Sequence, residues 1–132
     1  MTFEQVLLDT SVLIDHPAAA VAAQAATAAV ATITLAELGH GLHTPDPLVN
    51  AAREQRCHWI DATFASIPFD GAAARTYGAL CAGVRAAGRD SKPRRFDLLV
   101  AAVAVVRRLP VLTRNPRDFA GFHAALTVVA IA

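Results

Sequence analysis

The sequence has little charge and few cysteines, and each shortage excludes a class of protein. Only 17% of its 132 residues are charged and 55% are hydrophobic. The chain can therefore bury a core, and it is not expected to be disordered. Its two cysteines, Cys57 and Cys81, have no CxxC spacing, so we expect reduced thiols within helices. The length suits one domain, residues 1–132.

Targeting signals and glycine-rich nucleotide-binding loops are also missing. The first residues include Glu4 and Asp9 instead of the basic start of a signal peptide, which favours a cytoplasmic location. Neither a Walker loop nor a GxGxxG motif is present, so nucleotide binding through such a turn is unsupported. The uncharged stretch 17–36 is long enough to cross a bilayer. Because it is mostly alanine with several polar residues, we expect a buried helix leading into a strand.

Basic residues are concentrated in the last third of the chain. The net charge of +1 gives no global case for binding nucleic acid, but nine of the twelve basic residues fall between positions 85 and 117. Such clustering is typical of a surface that contacts a phosphate backbone. The candidate contacts are Arg89, Lys92, Arg94, Arg95 and Arg114.

Short apolar runs alternate with helical segments along the whole chain. The patterns predict strands at 6–8, 30–33, 66–69, 111–113 and 126–131. They predict helices that begin at Pro17 and Thr34, and further helices at 46–64, 70–88 and 96–109. This alternation indicates an α/β domain whose parallel sheet is covered by helices on both faces.

Four separated carboxylates are expected to meet at one edge of that sheet. Asp9 follows the first strand, and Asp118 lies in the turn after the strand at 111–113. Glu37 and Asp97 are predicted in the first turns of helices that begin at the same edge. Functional groups of open parallel sheets gather beyond the carboxyl ends of the strands. The chain order therefore predicts one site.

Converging carboxylates repel one another unless cations neutralise them, and hard oxygen ligands of this kind select Mg²⁺ or Mn²⁺. A metal pair about 3.5–4 Å apart could activate water against a phosphodiester. Each acid alone has a structural explanation as a cap, a turn former or a partner of a helix dipole, so only the joint pattern carries the prediction. Nearby polar residues could orient the ligands: Thr10, Ser11, Thr113 and Asn115. Two further acids near the expected site are interpreted as solvated loop residues: Asp15 and Asp90.

Four segments resemble the motifs of PIN-domain nucleases, in the order of that family. They are residues 6–15 (VLLDTSVLID), 33–42 (ITLAELGHGL), 95–102 (RFDLLVAA) and 112–119 (LTRNPRDF). The compact size and the Asn-x-x-Asp-Phe ending are most similar to the VapC toxins of VapBC toxin–antitoxin pairs. Two positions depart from the family pattern. Ser11 stands where many relatives have Asn, and Leu-Leu follows Asp97 in place of Ala-Leu or Ala-Ile.

The resemblance implies a five-stranded parallel sheet flanked by helices, Mg²⁺- or Mn²⁺-dependent endoribonuclease activity, and a homodimer. It implies an RNA substrate, with tRNA and rRNA as candidates, and no membrane partner. It also implies inhibition by a VapB-type antitoxin whose C-terminal segment occupies the active-site groove. The metal-binding catalytic acids would be Asp9, Glu37, Asp97 and Asp118.

Three other functions stay open at this point. A phosphatase of the haloacid dehalogenase type also has an aspartate after its first strand, but it needs a second one where this chain has Ser11. A non-catalytic PIN-like interaction module would be favoured by loss of an acid, yet all four positions are filled. A PIN nuclease that processes RNA or cleaves DNA outside any toxin pair remains compatible with the sequence.

Overall fold

Five parallel strands form one sheet with the order β3-β2-β1-β4-β5 in a computed structural model that describes residues 2–132. All four strand pairs are parallel. The predicted α/β class and the five-stranded parallel sheet are thus confirmed. The strands are β1 (Phe3–Leu8), β2 (Ala25–Ala31), β3 (Ala65–Ile67), β4 (Val111–Thr113) and β5 (Val128–Ala130).

Within residues 2–132, six α-helices connect the strands, and aspartates cap the start of two of them, as the sequence predicts. The helices are α1 (Thr10–Ile14), α2 (Ala18–Gln24), α3 (Thr32–His40), α4 (Pro47–Thr63), α5 (Gly71–Ala86) and α6 (Arg95–Arg107). Short 3-10 helices span Lys92–Arg94 and Pro116–Phe119. The Asp46 carboxylate accepts the N–H groups of Leu48 and Val49, and the Asp70 carboxylate accepts that of Ala73. These bonds satisfy donors that a helix start otherwise leaves without a partner.

The central strand β1 is buried on both faces of the sheet. Val6, Leu7 and Leu8 are fully buried, and alternation along the strand sends Leu7 to one side and its two neighbours to the other. Leu7 packs in a core formed with α5 and α6, whereas Val6 and Leu8 pack with residues of α1, α2 and α4. An apolar run of this kind is typical of a parallel strand covered by helices on both sides.

The second strand lies earlier than the sequence predicts. It spans Ala25–Ala31 instead of 30–33, and α3 begins at once with Thr32. Alanine has a weak strand preference, so pairing with β1 on one side and β3 on the other, together with burial, decides this strand. The predicted cap at Thr34 is wrong, because Thr34 lies inside α3. Glu37 consequently lies in the second turn of α3, not at a capping-box position.

The uncharged stretch 17–36 divides into α2, β2 and the start of α3, so the expected order of a helix followed by a strand is confirmed. The expected burial of this helix is wrong, because four of its seven residues are exposed: Ala18, Ala19, Ala22 and Ala23. Within residues 2–132, no helix combines the length and the apolar character that a membrane crossing needs. The remaining predicted elements differ from the observed ones by a few residues at their ends. The last strand, for example, spans Val128–Ala130 instead of 126–131.

Candidate active site

The four predicted acids lie at the carboxyl edge of the sheet. Asp9 directly follows β1, and Asp118 lies in the 3-10 helix after β4. Glu37 is carried by α3, which begins where β2 ends. Asp97 lies in the first turn of α6, the helix that leads back to β4. Parallel strands end together at this edge, and crossover helices begin or end there, so the topology collects side chains that are up to 109 positions apart.

Asp9 is held by two hydroxyl groups. It is only 6% exposed, and its Oδ2 atom accepts hydrogen bonds of 2.8 Å from both Ser11 Oγ and Thr113 Oγ1. The backbone N–H of Arg114 donates to Ser11 Oγ at 3.1 Å, and that of Asn115 donates to Thr113 Oγ1 at 3.0 Å. The loop after β4 therefore fixes both hydroxyls, and they fix the carboxylate. Its Oδ1 atom accepts no hydrogen bond from residues 2–132.

Within residues 2–132, Glu37 has a single hydroxyl partner. Thr10 Oγ1, in the first turn of α1, donates to Glu37 Oε1 at 2.6 Å. The short distance is usual for a hydroxyl that donates to a carboxylate. This bond joins the segment that follows β1 to the helix that follows β2. Thr10, the residue next to Asp9, therefore orients the Glu37 carboxylate, and the start of α3 does not.

Asp118 has a cation as its partner. One guanidinium nitrogen of Arg94 lies 3.5 Å from Asp118 Oδ1 and donates to the Asp118 main-chain oxygen at 3.1 Å. The two side chains are 31% and 45% exposed. Arg94 belongs to the 3-10 helix directly before α6, so this contact links the segment that carries Asp97 to the segment that carries Asp118.

Asp97 differs from the other three acids because no hydrogen bond or ion pair within residues 2–132 involves its carboxylate. Burial, followed by the charges of Asp9, Asp118 and Glu37 in that order, raises the pKa of Asp97 to about 6 against the opposing charge of Arg94. All three other acids therefore act electrostatically on this one. The structure brings the predicted set of four into a single acidic cluster.

The donor chemistry of the acidic cluster fits a hard divalent cation. Within residues 2–132, no three His, Cys, Asp or Glu side chains lie close enough together to coordinate one ion without moving. Carboxylates that repel one another are expected to stay apart until a cation draws them together. Asp9 and Glu37 each have a second oxygen without a donor in this part of the chain, and Asp97 has two. Those oxygens suit Mg²⁺ or Mn²⁺.

The basic residues predicted to contact nucleic acid divide into two groups. Three of them bind the protein itself: Arg94 at Asp118, Arg89 at the Ala120 main-chain oxygen, and Arg114 at the oxygens of Asp15. Lys92 and Arg95 are exposed, and their side chains have no hydrogen bond or ion pair within the described part of the chain. No local pattern predicts these pairings, since the partners are 24, 31 and 99 positions apart.

An apolar recess beside the acidic cluster was not predicted. Its volume is about 140 Å³, and Ile14 in its wall is 53% exposed. The recess is lined by Glu37, Ile14, Leu38 and Cys57, with two cations, Arg53 and Arg56. A larger cavity of about 930 Å³ lies at the opposite edge of the sheet, near Phe3 and Pro110, and none of the four acids lines it.

Comparisons with known proteins agree with this architecture. The PIN domain family profile matches residues 6–123. A member of the VapBC family of toxin–antitoxin systems, VapBC-5 from Mycobacterium tuberculosis, is 30% identical with a TM-score of 0.81, and the match covers 96% of this chain and 98% of that one. No curated protein sequence matches.

Two further solved structures have the same fold. A toxin–antitoxin complex from Klebsiella pneumoniae is 27% identical with a TM-score of 0.66, over 95% of this chain and 96% of that one. VapBC2 from Rickettsia felis, bound to a promoter DNA fragment, is 20% identical with a TM-score of 0.79, over 97% and 99% of the two chains. The family profile spans most of the chain and includes all four acids. The chain therefore belongs to the PIN domain family, and within it the chain is VapC-like.

Proposed function

We propose that this protein is a Mg²⁺- or Mn²⁺-dependent endoribonuclease that acts as the toxin of a type II toxin–antitoxin pair. The observation that carries the proposal is the state of Asp97. Its carboxylate is half-buried and has no partner within residues 2–132, and three other acids raise its pKa. A carboxylate in that position is an unfavourable arrangement for stability alone, and it is expected where a cation binds.

The acids Asp9, Glu37, Asp97 and Asp118 would hold the ion. When bound, a divalent ion supplies positive charge to the phosphate and lowers the pKa of the attacking water. The protein's own residues orient the carboxylates that would bind the ion. The hydroxyls of Ser11 and Thr113 hold one oxygen of Asp9, which leaves its other oxygen for a ligand role. Hydrolysis adds water at phosphorus and breaks one bridging P–O bond, and the leaving oxygen takes up a proton.

Two exposed cations close in sequence to Asp97 favour a polyanionic substrate. Lys92 and Arg95 lie within five residues of Asp97 and have no protein partner in the described part of the chain. Lys and Arg in such positions contact phosphates without reading the base sequence. They support a nucleic-acid substrate. We propose that this substrate is RNA, with tRNA and rRNA as candidate targets, and that contacts with the bases decide among RNAs.

A VapB-type antitoxin and a second copy of this chain are the protein partners that we propose. Solved structures similar to this chain are VapBC complexes, and one is described as a toxin–antitoxin complex. The apolar recess beside Glu37 would let a partner segment cover the acidic cluster and exclude substrate.

The test is cleavage of structured RNA by the purified protein with Mg²⁺ or Mn²⁺, and with EDTA as the stop. Asp9→Asn and Asp97→Asn should abolish cleavage and leave the circular dichroism spectrum unchanged. Asp61→Asn makes the same chemical change at an exposed site on α4 and should cleave as wild type does. Full activity in either acid variant would refute the mechanism.

Induced expression should arrest growth, and the acid variants should relieve the arrest. Cleavage without growth arrest would point to a PIN nuclease outside a toxin pair.

A further inference from the structure

The four acids differ in the groups that face their carboxylates. Asp9 accepts two hydroxyls and Glu37 accepts one. Asp118 alone faces a permanent cation, Arg94, and Asp97 has no partner within residues 2–132. The demand for an added cation is therefore uneven across the acidic cluster. It is greatest at Asp97 and least at Asp118.

We infer that Arg94 is a built-in counter-cation for Asp118, so that the acidic cluster takes up one divalent ion, held chiefly by Asp97 and Asp9, and not two. The inference rests on the proposed function and deepens it. Arg94 is then a positioning residue, since it acts on the reaction through Asp118 and through the charge of the cluster. The sequence had suggested only that Arg94 contacts RNA.

Two features make Arg94 hard to displace. The nitrogen that faces Asp118 Oδ1 also donates to the Asp118 main-chain oxygen, so a cation that competed for the carboxylate would not break the second bond. Arginine also stays charged at all pH values that a protein tolerates. A divalent ion at Asp118 would therefore be repelled by a charge that cannot be lost.

The same position explains why Asp97 attracts the first ion. Arg94 precedes Asp97 by three positions, yet within residues 2–132 both its hydrogen bond and its ion pair go to Asp118. The Asp97 carboxylate is left without a hydrogen bond in the part of the chain that the structure describes. An ion at Asp97 and Asp9 would complete the neutralisation that Arg94 begins on the other side of the cluster.

Binding of Mn²⁺ to the full-length protein without RNA tests this inference. The number of ions per chain and their affinity are measured by isothermal titration calorimetry and by electron paramagnetic resonance of the free ion. Wild type should bind one ion. Arg94→Gln should bind two, and its first ion should bind roughly threefold to tenfold more tightly because a nearby positive charge is gone.

Two control variants distinguish the loss of the cation that faces Asp118 from the loss of a positive charge elsewhere in the basic segment. Arg94→Lys keeps a cation in place and should bind one ion with an affinity close to that of wild type. Arg89→Gln removes the same charge from the same basic segment, but Arg89 bonds the Ala120 main-chain oxygen and, within residues 2–132, no acid. It should therefore bind one ion with unchanged affinity.

Asp118→Asn gives a second route if Arg94→Gln folds poorly. It should still bind one ion and lose less than about tenfold in affinity, whereas Asp97→Asn should lose more than about a hundredfold. Two ions on wild type, one ion of unchanged affinity on Arg94→Gln, or equal losses in the two aspartate variants would each overturn the inference while leaving the nuclease proposal intact. No Mn²⁺ binding by wild type would overturn both.

Discussion

Removal of the Asp97 charge should make the metal-free protein more stable while it abolishes cleavage. The variant is Asp97→Asn, which keeps the shape of the side chain and removes the charge that Asp9, Glu37 and Asp118 oppose. Above about pH 6 the wild-type carboxylate is ionised against burial and against three like charges. The neutral amide of the Asp97→Asn variant carries no charge, so neither burial nor the three acids oppose it in this way.

The size of the effect follows from the pKa. Burial and the neighbouring acids raise the pKa of Asp97 from 3.8 to about 6. A tenfold change in an acid dissociation constant corresponds to about 1.4 kcal/mol, so the upper limit is about 3 kcal/mol. Partial exposure to solvent screens these charges. The start of α6 also favours a negative charge by up to about 1 kcal/mol. We therefore expect Asp97→Asn to raise the free energy of unfolding by about 1 kcal/mol at about pH 8.

The stability difference between wild type and Asp97→Asn should depend on pH, and the raised pKa of Asp97 sets its direction. A carboxyl group with a raised pKa binds its proton more tightly in the folded than in the unfolded protein. Its contribution to stability is complete below the unfolded value of about 4, and it is lost as the pH rises through about 6. Wild type and Asp97→Asn should therefore have similar stability at about pH 4 and should diverge as the pH rises.

Urea unfolding in EDTA at the two pH values measures the difference. Asp61→Asn is the matched control, and because Asp61 is exposed on α4 its stability should follow that of wild type at both pH values. Added Mg²⁺ should stabilise wild type at about pH 8 and should have little effect on Asp97→Asn. A metal-free Asp97→Asn protein that is less stable than wild type at about pH 8 would refute the electrostatic reasoning.

Three further substitutions test other parts of the structure. Thr113→Val removes a hydroxyl that donates to Asp9, and we expect kcat to fall roughly tenfold to a hundredfold while KM for RNA changes little, as steady-state cleavage assays can measure. Thr34→Val replaces a buried hydroxyl that has no partner within residues 2–132, and thermal unfolding should show a gain of about 1 kcal/mol; a loss of stability would indicate a partner for that hydroxyl. Asp46→Ala removes the cap of α4 and should cost about 1 kcal/mol in urea unfolding, with RNA cleavage unchanged.

The parts of the fold that sequence reasoning predicted well are those with a local cause. The apolar run before Asp9 indicated a buried strand with an acid at its end, and the aspartates at 46 and 70 indicated where two helices begin. Strand β2 has no such signal, because alanine is compatible with either element. Only its pairing with β1 and β3 shows that residues 25–31 are a strand.

Chain order predicted that the four acids of the candidate site meet, since the alternation of strands and helices places all four at one edge of a parallel sheet. How each acid is held depends on the folded chain. The contacts of Thr10 with Glu37, of Thr113 with Asp9 and of Arg94 with Asp118 join positions 27, 104 and 24 residues apart. Such pairs depend on the packing of whole elements against each other, which local propensity does not encode. For that reason the lack of any partner for Asp97 within residues 2–132, on which the proposed function depends, became visible only in the tertiary structure.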